Sequence, residues 1–324
     1  VLWCVPALVD LSEDDTRRIA SRESQAEDQD DAFATRSAHG RAQRNRWPQP
    51  PSSPLPVRAG QRRDPDMSAT SNLIALYTVV RREIVRIARL WIQSLLLPTV
   101  TIVLYFLIFG KVIGERIGTF DGGYSYMQFI TPGLVMMSII TTSYGNTSSS
   151  FFFVRFNRAV EEMLISPMPN WIILAGYLTG SLVRGLAIGA ILLTISVPFA
   201  AVGIAHPLAA FVSVLLGSTI FALLGFINAL YAKTLDDIGH VSTFVVTPLA
   251  YLGGVFYPVE LLDRPWQDIA RINPMTHMIG AFRHGVLGTG AFDVQAAFVV
   301  MLILAAGLFV VALTLLRRGV GTRS

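Results

Sequence analysis

Beyond residue 66 the chain carries 11 carboxylates, 16 basic side chains and four histidines, and no cysteine. The single thiol, Cys4, lies near the N-terminus, so disulfide and thiolate-metal chemistry are excluded from the rest. His277 and His284 stand seven residues apart and can share a helix face. A metal needs further ligands at fitting geometry, and none is evident, so both read as satisfied interfacial histidines. No GxxxxGK loop ending in Ser or Thr is present to cradle ATP phosphates. Neither HExxH nor GxSxG occurs, and no convergent catalytic constellation suggests a membrane-embedded lipid enzyme. The carboxylates all fall in polar stretches or amphipathic pieces. Ion-coupled carriers commonly use carboxylates at membrane depth, although backbone carbonyls can also hold sodium. Arg184 is the one charge inside a long apolar run. Its burial in hydrocarbon would cost about 2.5–3.5 kcal/mol. It must therefore face protein, a wet cavity or headgroups. A tether to neighbouring helices is the default reading, and contact with an anionic substrate or lipid is the alternative.

The elements that must position these groups are membrane helices. The chain has 324 residues, 52% hydrophobic and only 15% charged, against about 25% charged in soluble domains. Residues 1–66 are different, with 11 acidic and 10 basic residues and seven of the 17 prolines. This composition predicts an unfolded N-terminal extension, with Met67 as a natural start that would make 1–66 an over-extended reading frame. Residues 67–324 form the membrane domain.

Asn72–Leu90 is expected to be an amphipathic interfacial helix. Leu73, Leu76, Tyr77, Val80, Ile84, Ile87 and Trp91 recur at helical spacing, and Arg81, Arg82, Arg86 and Arg89 are expected to turn toward anionic headgroups. The 21 uncharged residues between Arg89 and Lys111 span about 32 Å as helix, enough to cross a bilayer despite Pro98. Further spans are expected at about 127–149, 171–201, 208–231, 240–256 and between Asp293 and Arg317. The polar run TTSYGNTSSS in the second suits helix packing or a cavity wall better than lipid. Phe151–Ile165 reads as a second amphipathic helix, with Arg155, Arg158, Glu161 and Glu162 on its outer side, ended by Pro167 and Pro169. Either a partner-docking helix or a solvated loop helix fits that pattern.

Ala250–Gly288 is too polar to span and too apolar for a loop. Leu262, Trp266, Ile269 and Ala270 make one stripe; Met275, Met278, Ile279 and Phe282 make another. Asn273 is a candidate N-cap with Pro274 at the first helical position, and Gly285 is a candidate stop. The expectation is a re-entrant helical hairpin between spans five and six, with His277, Arg283 and His284 on a wet face. Six spans put both termini on one side. Ten Lys/Arg then fall on that side and five on the other, which predicts cytoplasmic termini and an outer hairpin.

The segments GGVFYPVELL and INPMTHMIGAFRHGVLG, the FITPGLVMM opening of the second span and the LISPMP ending of the amphipathic segment together resemble the ABC-2 type transport permeases. The resemblance covers Met67 to about Arg318. Within that family it resembles the small YadH-like six-span permeases related to nodulation-factor, polysaccharide and drug exporters. It implies an all-α integral membrane fold in the cytoplasmic (inner) membrane, working as a homodimer. Each copy would dock one ATP-binding subunit, which binds Mg-ATP, so the permease itself needs no cofactor and performs no catalysis. Arg155, Arg158, Glu161 and Glu162 would form the coupling helix. Trp266, Asn273, Pro274, His277, Phe282 and Arg283 would belong to the outer gate. Membrane lipids are expected partners, and nucleic acid is not. A secondary, ion-coupled transporter is the alternative. Substrate identity among lipid, drug and saccharide is left open.

Overall fold

The computed structural model describes residues 69–90, 92–109, 123–157, 168–288 and 293–320. All of them belong to the compact unit Asp64–Ser324. The expected extension 1–66 lies outside the described residues. Every regular element among those described is a helix: α1 (Ala69–Arg89), α2 (Leu97–Leu107), α3 (Tyr126–Phe156), α4 (Asn170–Ala200), α5 (Pro207–Tyr231), α6 (Leu235–Val241), α7 (Thr247–Leu252), α8 (Arg264–Ile272), α9 (Pro274–Leu287) and α10 (Val294–Arg317), with one 3-10 turn at Val259–Leu261.

Three of these, α4, α5 and α10, are long and apolar enough to cross a membrane. They match the expected third, fourth and sixth spans to within a residue or two. The expected second span is α3, one 31-residue helix. The expected first and fifth are interrupted. A wide π turn, Ile92–Leu96, precedes α2, and another, Ser242–Val246, precedes α7. Each turn lies just N-terminal to a proline, Pro98 or Pro248. Proline removes an amide donor and crowds the carbonyl four residues back, and widening the turn relieves both. Thr247 Oγ1 donates to the Ser242 carbonyl at 3.0 Å, satisfying one acceptor of the widened turn.

α3 is the hub. Ile130, Leu134, Met136, Ile139, Ile140 and Tyr144 are fully buried along it, against α4, α5 and α9. Its polar half is buried too: Ser143, Asn146, Thr147, Ser148 and Ser150 all face protein, as their composition predicts. Close approach makes this possible. A Cβ on Gly225 of α5 would lie 2.5 Å from the Tyr144 carbonyl oxygen, so α5 meets the α3 backbone directly. Small residues are the usual means of packing helices where lipid offers no hydrophobic contrast. Outside this core, Leu97, Val100 and Leu104 of α2 and Leu302, Ile303 and Val310 of α10 are exposed, a surface suited to hydrocarbon.

Candidate functional site

A cluster of charged residues lies at the end of the bundle where α3 and α5 finish. α1 lies against α4 there. Its Val79 and Glu83 face Gly176 and Gly180, one turn apart on α4, whose missing side chains make room. Glu83 is only 1% exposed. Its carboxylate accepts from Arg86 Nη2 at 2.9 Å and Nε at 3.2 Å. Ser150 Oγ of α3 lies 2.8 Å and 2.9 Å from the two carboxylate oxygens. Arg82 stands 3.6 Å away and donates to the Tyr177 hydroxyl at 2.7 Å. Arg86 reaches further, to Asn146 Oδ1 at 2.7 Å, and Arg184 donates to the same oxygen at 3.1 Å. Asn146 Nδ2 donates to Ser181 Oγ at 2.9 Å. A buried charge persists only when paired and hydrogen-bonded, and this network supplies both across α1, α3 and α4.

These contacts correct one sequence expectation. Arg82 and Arg86 turn inward rather than toward headgroups, while Arg81 and Arg89 remain exposed. The stripe residues Leu73, Tyr77 and Ile84 stay open, in keeping with an interfacial helix. Glu83 is a buried carboxylate that the sequence reading did not single out. A signal for it was present: Leu76, Val80, Glu83 and Ile87 form one helical row, so a lone carboxylate sits in an apolar register. Arg184 reaches α3 through Asn146, a helix-to-helix contact of the kind the default reading expects.

Arg155, expected on a partner-facing surface, is directed into the protein. Its Nη1 donates to the carbonyls of Ala229 at 2.7 Å and Leu230 at 2.6 Å, and its Nη2 to that of Ala232. The last carbonyls of a helix lack intrahelical donors and carry partial negative charge; a guanidinium fork satisfies them at the end of α5. Tyr144 strengthens the same junction, accepting from Asn228 Nδ2 at 2.7 Å. Arg158, Glu161 and Glu162 lie outside the described residues.

The hairpin occupies the opposite end. Asn273 caps α9, its Oδ1 accepting from Met275 N at 3.0 Å, with Pro274 at the first helical position. Its Nδ2 donates to the Leu249 carbonyl at 2.7 Å, fastening the hairpin to α7. Met275, Met278, Ile279 and Phe282 are all fully buried. The other stripe is not: Trp266 is 57% and Ile269 49% exposed on α8. Gly285 does not stop α9, which continues to Leu287 with Gly288 at φ +77° as its C-cap. Gly285 instead lets α9 touch α5, where a Cβ would meet Ala210 N at 2.5 Å.

The three polar groups expected on a wet face are engaged. Arg283 donates to the Gly254 carbonyl at 2.8 Å and lies 3.9 Å over the Phe129 ring. His277 Nε2 lies 3.0 Å from the Arg271 carbonyl. His284 stacks on His206, with ring centroids 4.9 Å apart. Among the described residues no group of three or more potential metal ligands comes together.

The arrangement therefore has one end cross-linked by buried charges and a hairpin at the other, joined by the long helix α3. The sequence pattern of the ABC-2 type transporter family matches residues 74–287. The chain is 43% identical over 251 residues to the inner membrane transport permease YadH of Escherichia coli (strain K12), covering 78% of this chain and 98% of that one. It is 28% identical over 220 residues to nodulation protein J of Rhizobium leguminosarum bv. viciae, covering 67% and 83%. It is likewise 28% identical over 254 residues to nodulation protein J of Neorhizobium galegae, covering 76% and 95%. With the matched region spanning the charged end and the hairpin alike, this helical membrane protein belongs to the ABC-2 type transporter family.

Proposed function

We propose that the chain is the permease subunit of an ATP-driven exporter, with hydrolysis supplied by a separate ATP-binding-cassette subunit. Two copies would form the translocation unit and dock two ATPase subunits. Each copy would cross the inner membrane six times with both termini in the cytoplasm. The observation that carries the reading is the anchoring of α3. Its final turns are tied to α1 through Ser150–Glu83 and to α5 through Arg155, immediately before the segment carrying Arg158, Glu161 and Glu162. A push on that segment by a closing ATPase pair would move three helices as one body. At the far end the hairpin, held by Asn273 and Arg283, would act as the outer gate. A lipid, drug-like or saccharide cargo fits the family.

The test is co-purification with the ATPase subunit and measurement of vanadate-sensitive turnover. Glu161→Lys with Glu162→Lys should release the ATPase and abolish transport. Full binding and transport in that double variant would remove these residues from the docking face. The burial of Glu83 gives an ion-coupled carrier one observation in its favour, since such carriers use buried carboxylates. Transport that resists vanadate but collapses when the proton gradient is dissipated would select that reading.

A further inference from the structure

Between α1 and the last turns of α3 lies an open groove of ≈ 670 Å³. Four arginines line it, Arg81, Arg82, Arg86 and Arg89, against the single carboxylate of Glu83. That carboxylate is already held by Arg86 and Ser150. Arg81 and Arg89 are exposed and make no hydrogen bond or ion pair with any described residue. The groove therefore has a surplus of positive charge with two guanidiniums unengaged. Its remaining wall is apolar: Val85, Leu90 and Phe153 line it and are each more than two-fifths exposed.

We infer that this groove binds the phosphate headgroup of an anionic amphiphile from the leaflet that α1 borders. The two halves of the lining select that chemistry together. A guanidinium fork matches phosphate oxygens bidentately. The exposed side chains of Val85, Leu90 and Phe153 give an acyl chain a surface to lie on. A free anion would use the first half and leave the second wet. An acidic protein surface would use the arginines but has no need of an apolar floor. Placing the groove at the cytoplasmic leaflet rests on the topology proposed above; the binding chemistry does not.

The test uses the full-length chain purified in neutral detergent. Phosphatidylglycerol, phosphatidylcholine of equal chain length and inorganic phosphate are titrated separately, with affinity read from the ligand-induced rise in unfolding temperature. Wild type is compared with Arg81→Gln/Arg89→Gln and with the charge-matched control Arg317→Gln/Arg318→Gln, at two exposed positions on α10 and its C-cap. Because Arg81 and Arg89 have no partners among the described residues, the first variant should unfold at the wild-type temperature without lipid. Phosphatidylglycerol should bind saturably and salt-sensitively. A factor of about five per arginine at a membrane surface predicts about a thirtyfold loss in Arg81→Gln/Arg89→Gln and none in the control. Equal affinity for both lipids would overturn the proposal, as would inorganic phosphate matching phosphatidylglycerol. So would a variant that keeps its lipid affinity but no longer captures the ATPase, which would make the groove a protein dock. ATPase capture by the wild type is scored separately, so failure of lipid binding leaves the exporter reading standing, and a wild type that binds lipid but captures no ATPase leaves the groove standing.

Discussion

Glu83→Ala removes the one carboxylate that balances the inward-facing arginines of the α1–α3–α4 junction. Arg86 would lose the partner it reaches at 2.9 Å, and Ser150 the acceptor at 2.8 Å. Arg86 would keep only its bonds to Asn146, whose Oδ1 Arg184 also reaches. Breaking a buried pair from one side costs about 3–5 kcal/mol. The Arg86 side chain keeps 27% of its surface in solvent, which selects the lower end, about 3 kcal/mol. Glu83→Gln keeps the shape and an acceptor for Ser150 but loses the charge, worth about 2 kcal/mol for hydrogen bonds to a charged group. At about 2–4 °C per kcal/mol for a domain of this size, unfolding should fall by about 6–12 °C for alanine and about 4–8 °C for glutamine. Thermal unfolding of the purified chain in detergent reads both. Glu83→Leu/Arg86→Met, which removes both charges, should be milder than Glu83→Ala alone, because no uncompensated partner is left. An alanine variant that melts within about 1 °C of wild type would mean that the carboxylate is solvated, and would refute the junction as drawn.

Arg155→Gln should lower stability by about 2 kcal/mol and speed amide exchange around Ala232–Leu235, where the α5 carbonyls lose their donor; Arg155→Lys should not restore it, since an ammonium cannot fork across three carbonyls. Gly285→Ala should destabilise by about 1–3 kcal/mol, because the new Cβ meets the Ala210 backbone at 2.5 Å. Gly307→Ala, also within a helix but facing open space, should instead gain about 0.5–1 kcal/mol in the same melt. Asp237 accepts from the amides of Lys233 at 2.7 Å and Thr234 at 3.0 Å. These backbone donors, Thr234's first, hold its carboxyl below the usual range. A depressed folded-state value stabilises above the unfolded carboxylate pKa and is lost as pH falls through the folded one. Asp237→Ala should therefore melt below wild type at neutral pH, and the gap should close as the pH falls through the depressed folded-state value, below the ordinary Asp range.

The long apolar helices were legible from composition alone. Runs without charge, such as the 48 residues between Arg184 and Lys233, admit only buried or lipid-facing helix, and the turn near Gly203–Pro207 divides them. The hairpin was legible from local chemistry, because an asparagine followed by proline caps a helix using atoms only two residues apart. The sequence reads Pro98 as tolerated within one span, and the widened turns before Pro98 and Pro248 were not legible, since they depend on what supports the freed carbonyls.

Direction was not legible. Arg155 and Arg86 each sit on a helix face that periodicity alone assigns to solvent or headgroups. The α5 carbonyls that hold Arg155 come from 74 to 77 residues away. The Asn146 oxygen that holds Arg86 comes from 60 residues away. Glu83 is buried because Gly176 and Gly180, on a helix almost a hundred residues later, leave a trough for α1. Gly285 reads as a helix stop in sequence and is a contact in space for the same reason. Helix formation, capping and membrane length are set by neighbours within a turn or two, so the sequence by itself determined the elements and the family they build. Which face of each element meets protein depends on backbones that only the packed bundle brings together. The charged junction at one end and the fastening of the hairpin at the other were therefore decided by tertiary structure.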